Sequence, residues 1–212
     1  RLSRPVETIE IPPTVQAVLA ARIDRLAPEP KHVLQVASAI GRDVPLRLVQ
    51  AVLQLSVPEL RGRFATLETR EFLHEAQTLP EVVYRFKHAV VRDAAYSSLL
   101  TRTRQALHRR IGQELELGFP HVAESTPEVL ARHFAEAGLA QTAIAYWLKA
   151  GRRATERSAN AEAIEHLAKG LGLLQSVADP RERAVLELDL RMAMVVPQIA
   201  IGCVTTVARM TL

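Results

Sequence analysis

Seven histidines and one cysteine are the residues best placed to do chemistry in this chain, so their spacing comes first. The histidines are scattered, and no two stand four apart, so no single helix face offers a metal a His pair. Cys203 stands alone, which excludes a disulfide framework and a cysteine-based zinc site, and no neighbouring His is there to activate it. The sequence contains no Gly-x-x-x-x-Gly-Lys-Ser/Thr phosphate loop and no strand ending in paired acids that could hold magnesium. It also lacks His-Glu-x-x-His, Gly-x-Ser-x-Gly and a Gly-rich dinucleotide turn. This segment is therefore not expected to be an enzyme, to carry a catalytic residue or to bind a metal or cofactor of its own.

His88 is the exception worth following. In Val82 to Lys87 the residues alternate, with Val82, Tyr84, Phe86 and His88 on one side and Val83, Arg85 and Lys87 on the other. A period of two predicts a half-buried strand. From Ala89 the period becomes helical, through Val91, Ala94, Ala95 and Leu99 to Leu100. His88 is thus expected where a strand becomes a helix. Read from the residues alone, it is a buried junction histidine donating to a backbone carbonyl. Arg92 and Asp93, a turn further on, read as a structural ion pair.

Other charged positions read more simply. Arg102, Arg104, His108, Arg109 and Arg110 form a basic run expected to be a solvated face. Arg61, Arg63 and Arg70 are offset by Glu59, Glu68 and Glu71. A helix that reads the major groove should be decidedly basic, so this balance argues against DNA. Trp147 and Tyr146 could mark a peptide groove, but Trp147 reads better as core.

The elements that must position these residues are mostly helical. Nine glycines and 4% aromatics in a chain rich in Ala, Leu, Arg and Glu favour helices. Residues 1–13 are expected as an extended lead-in, with Thr14 capping a helix that carries Val15, Val18, Leu19, Ile23 and Leu26 on one face. Pro28 and Pro30 close it. A second helix buries Val33, Leu34, Ala37 and Ile40, with Gly41 as a left-handed cap. Pro45 opens a third, carrying Leu46, Val49 and Val52. Ser56 with Glu59 three residues on forms a capping box for a fourth, whose stripe is Leu60, Phe64 and Leu67. Strands over 72–75 and 82–87 follow. Helices followed by a hairpin are the order of a winged-helix domain, assigned to 14–118 with the helices after it.

Gly118-Phe119-Pro120 predicts a stop, and 119–127 a linker. Residues 128–212 read as helical hairpins. Trp147, Ala150, Gly151 and Ala154, then Ala163 and Leu167, match the tetratricopeptide pattern at its Trp, Gly and Ala positions, and Trp147, Gly151, Ala163 and Leu167 are expected to pack the repeat. One diverged repeat with half repeats on either side predicts the start of a longer, truncated array. The fold class is thus mainly α: a winged-helix-like domain with a short β-hairpin, then tetratricopeptide-like hairpins opening an α-solenoid.

Two stretches carry a family resemblance. Phe86-Lys87-His88-Ala89-Val90-Val91-Arg92-Asp93-Ala94-Ala95-Tyr96, with Leu99-Leu100, resembles the end of the winged-helix module in bacterial STAND-class predicted signalling ATPases. These are often fused to an adenylate or guanylate cyclase and followed by tetratricopeptide repeats. Ile11-Pro12-Pro13-Thr14-Val15-Gln16-Ala17-Val18-Leu19-Ala20-Ala21-Arg22-Ile23-Asp24-Arg25-Leu26 is similar to the segment leaving the nucleotide-binding core in that group. The resemblance implies an upstream domain that binds ATP or ADP with magnesium, and a protein partner or effector on the repeats. It also implies that His88 reaches the diphosphate of ADP, with Arg92 and Asp93 as support. Ala89 stands where the related Met-His-Asp signature has its acid. The alternatives are a DNA-binding winged-helix regulator with a repeat sensor and a protein-interaction scaffold.

Composition is compatible with each of these. Hydrophobic residues make up 48% and charged residues 24%, and the net charge is only +4. No uncharged apolar run reaches the ~20 residues that span a bilayer. Arg1-Leu2-Ser3-Arg4-Pro5 has no apolar core of a signal peptide, so a cytoplasmic location is expected. The longest apolar run, Met192 to Val204, is interrupted by Pro197 and Gly202.

Overall fold

The computed structural model describes residues 13–210, with side chains described over 17–202. Residues 1–12, most of the expected lead-in, lie outside the described residues, as do the side chains of Thr14, Val15 and Cys203. The chain is mainly helical, with one small antiparallel sheet, and divides into two compact units between Arg104 and Gln105.

The N-terminal unit opens with α1 (Pro13–Asp24), which buries Leu19 and Ile23. Val18 was expected on the same face but is exposed. The helix has so few neighbours that only a narrow stripe is covered. α2 (Pro28–Ile40) begins on Pro28, whose missing amide hydrogen costs nothing at the first helical position. Val33, Leu34, Ala37 and Ile40 are buried, as their spacing predicts. Gly41 ends the helix at φ 145°, ψ −152°, not in the left-handed conformation expected, though this too is a region that favours glycine.

Next comes a strand the sequence did not announce, β1 (Asp43–Pro45). Three residues ending in proline are too few for periodicity to register, yet Val44 is fully buried. α3 (Leu46–Leu53) buries Leu46, Val49 and Val52. α4 (Val57–Thr69) carries the capping box: Ser56 and Glu59 exchange backbone and side-chain hydrogen bonds, and Leu60, Phe64 and Leu67 are fully buried.

β2 (Leu73–Gln77) and β3 (Val83–Phe86) complete the sheet in the order β1-β3-β2, all antiparallel. Arg85 faces Asp43 across β1 and β3 and pairs with it at 2.5 Å. Tyr84, on the buried side, stacks on Phe64 of α4 at 3.9 Å between ring centroids. That contact fixes the sheet to the helices. α5 (Ala89–Ser97) stops before the expected Leu100, because the amide of Leu99 turns back to Tyr96. Arg104 donates to the carbonyls of Tyr96 and Leu99 at 3.3 and 3.4 Å and lies over the Tyr96 ring at 4.3 Å.

The division between units falls inside α6 (Thr101–Gly118), and the stretch 119–127 read as a linker carries the short α7 (Pro120–Ser125). In the C-terminal unit, α8 (Pro127–Glu136), α9 (Ala140–Glu156), α10 (Asn160–Gly172) and α11 (Pro180–Met210) pack each on the one before. α11 also touches α9. The turns use positive φ at Gly138 (74°) and Ser158 (60°). Pro197, expected to break the apolar run, sits inside α11. Val185, Leu188, Met192, Val195, Val196 and Ile199 are exposed along that helix at near-heptad spacing. Among the described residues no helix is long and apolar enough to cross a membrane.

α9 and α10 approach closely at Gly151. A Cβ there would lie 2.5 Å from Cγ and 2.6 Å from Cδ2 of Leu167, which is fully buried. Gly to Ala within a helix ordinarily gains about 1 kcal/mol in propensity. Overpacking a core costs about 1–3 kcal/mol and should win here. Gly151→Ala is expected to lower the melting temperature; a raised one would mean that Leu167 has room to turn away.

Candidate functional site

His88 lies where the sequence placed it, between β3 and α5. Its extended backbone (φ −138°, ψ 136°) occupies the N-cap of α5, and its side chain makes no capping hydrogen bond. The side chain is exposed, which corrects the expectation of a buried histidine facing the same way as Tyr84 and Phe86. β3 ends at Phe86, so the alternation that would have buried His88 has already stopped.

Beside His88 is a cleft of about 250 Å³ lined by Arg42, Phe86, Lys87, Ala89 and Arg92. The three cations differ in how they are held. Arg92 gives two N–H groups to Oδ1 of Asp93, at 2.9 Å from Nε and 2.7 Å from Nη2. The predicted Arg92–Asp93 pair therefore forms, with Asp93 holding the guanidinium at the cleft. Lys87 reaches Glu71 at 3.2 Å. Arg42, exposed on the connection after α2, has no hydrogen bond or ion pair among the described residues. The open start of α5 adds backbone N–H groups and the positive end of its dipole. This corner can bind an anion, and an imidazole at its rim can donate one more hydrogen bond, stronger when charged.

Trp147, Gly151, Ala163 and Leu167 lie in the interior of the C-terminal unit. Trp147 is 7% exposed, its ring stacked on His166 at 5.5 Å with Lys169 over it at 5.1 Å. Ala163 and Leu167 are fully buried. Tyr146, named with Trp147 as a possible groove marker, donates its hydroxyl to Glu116 at 2.7 Å, and burial together with this bond raises its pKa.

The fold also joins two histidines that their spacing keeps apart. His108 of α6 and His133 of α8 are 3% and 1% exposed, with their Nδ1 atoms 2.8 Å apart. One neutral ring must donate and the other accept. Burial, with Arg132 and His108 nearby, lowers the His133 pKa from 6.5 to about 3. His108 thus leaves the basic run, which is not one solvated face. No group of three or more candidate metal ligands occurs among the described residues. The pair had no sequence signal, since its members lie 25 residues apart on different helices.

No protein-family profile matches the chain. It is similar to an uncharacterized protein of Rhizobium meliloti (strain 1021), with 28% identity over 174 residues. The match covers 82% of this chain but 17% of the relative, so the chain spans well under a third of that protein's length.

Proposed function

We propose that this chain is a regulatory segment of a bacterial STAND-class signal-transduction ATPase. In this reading the N-terminal unit is a winged helix, and α8 to α11 are tetratricopeptide-like repeats at the start of an array. The observation that carries it is the order α2-β1-α3-α4-β2-β3 followed at once by exposed His88 on a cationic cleft. That order has the strand between the first two helices that a winged helix uses. The residues also fit an ADP diphosphate supplied by an upstream nucleotide-binding domain. His88 and Arg42 are free to donate to it, and Arg92 is held ready by Asp93.

ADP bound in that domain would be gripped from the winged helix and the closed form stabilised. A partner on the repeats would favour ATP exchange and opening, and could do so only by binding the open form more tightly than the closed. In this reading the output is a nucleotide cyclase. The exposed apolar stripe of α11 supports the repeat reading, because a solenoid helix without a polar cap has a face that stacks on a neighbour.

Titration of the chain alone with magnesium ADP and with ATP tests this division of labour. No measurable heat is expected, because the phosphate loop is supplied by the upstream domain. Micromolar binding would place a complete nucleotide site inside the segment and contradict the reading. Retention of a specific duplex at physiological salt would favour the DNA-binding regulator instead.

A further inference from the structure

α9 presents a row of cations without direct ion pairs along one face. Lys149, Arg152 and Arg153 line a cleft of about 300 Å³ with Leu148, and Glu124 of α7 and Glu156 complete its wall. The cations stand three and four residues apart, so they repel one another on the helix surface. None of the three side chains forms a hydrogen bond or an ion pair among the described residues, although two carboxylates share the cleft. Arg153 goes further, since its Nε is buried and has no partner. Elsewhere in this unit the pattern is different: Arg157 is paired with Glu162, Lys169 with Glu165 and Arg191 with Glu187. Like charges gathered with neither carboxylate paired to any of them, beside an unused buried donor, are poor for stability and suited to an anionic ligand.

We infer that this cleft binds an acidic peptide segment of a partner protein through the guanidinium and ammonium groups of Arg152, Arg153 and Lys149. The inference rests on the reading of α8 to α11 as partner-binding repeats and names the chemistry of that partner. Shape selects a peptide. From Ala145 to Glu156 the lining follows α9 over a stretch of ~16 Å at the helical rise, about the length of five extended residues. Half-buried Leu148 gives an aliphatic floor for a side chain between two carboxylates. Arginine gripping a planar carboxylate supplies orientation as well as charge.

The test uses the whole chain and a fluorescein-labelled peptide of alternating glutamate and leucine, read by fluorescence anisotropy. A matched peptide with glutamine for glutamate, and inorganic phosphate as competitor, form the other arms. The acidic peptide is expected to bind and the glutamine peptide not to. Arg152→Glu should weaken binding about ten- to a hundredfold, the loss of a charge-assisted hydrogen bond. Because Arg152 is exposed, its melting temperature should stay that of the parent. Arg152→Lys should recover part of the affinity.

Absence of binding, or equal binding by Arg152→Glu, would overturn the assignment. Equal binding of the glutamine peptide would overturn it while leaving partner binding by the repeats intact. Full displacement by phosphate at matched ionic strength would likewise overturn it, and would make the cleft a phosphate site.

Discussion

Acidification from pH 7 to pH 4.5 should cost the C-terminal unit roughly 2–3 kcal/mol through His133 alone. The sign follows from which form the fold accepts. His133 is held neutral, its pKa lowered from 6.5 to about 3 by burial first and then by Arg132 and His108. An unfolded chain takes up the proton near pH 6.5 and the folded one does not. The contribution is therefore whole above pH 6.5 and is lost steadily as the pH falls from there toward about 3.

Geometry points the same way. With Nδ1 atoms 2.8 Å apart, one ring must accept, and a proton on that ring leaves two donors facing each other. Melting followed by circular dichroism between pH 7 and pH 4.5 should show the loss. The double variant His108→Leu, His133→Leu should flatten its slope, whatever it does to stability at neutral pH, because replacing both partners removes the titrating group and its orphan together. A slope unchanged in the double variant would refute this assignment.

What could be read from the sequence was local. Ser56 and Glu59 announce α4 because a capping box is written in four residues, and the period of Leu60, Phe64 and Leu67 names its buried stripe. The junction at His88 was legible because the period changes from two to helical within a few residues. What failed was either too short or too distant. β1 has three residues and only its pairing with β3 makes it a strand. α7 is hidden in a stretch whose prolines and polar residues also suit a loop. α5 ends early although Leu99 keeps its period, because the Leu99 amide turns back to Tyr96 and Arg104, beyond the pattern, donates to the carbonyls of Tyr96 and Leu99.

His88 itself is exposed where its spacing predicted burial, since counting by two presumes that the strand continues. The His108–His133 pair and the α9 cleft depend on which helices meet and on which charges find partners. The spacing of Lys149, Arg152 and Arg153 was present in the sequence. Their lack of partners was not.

His88 is tested most directly by ADP release from the full-length polypeptide that the proposed reading implies, with and without His88→Ala. His88 is exposed and its side chain makes no hydrogen bond among the described residues, so the substitution should leave the melting of the segment unchanged. If its imidazole donates to the diphosphate, losing a charge-assisted hydrogen bond of about 1.5–3 kcal/mol should speed ADP release roughly ten- to a hundredfold and raise basal output. Arg42→Ala should act in the same direction. ADP release that stays at the parental rate in His88→Ala would contradict the account, and would leave the cationic corner without a part in nucleotide sensing.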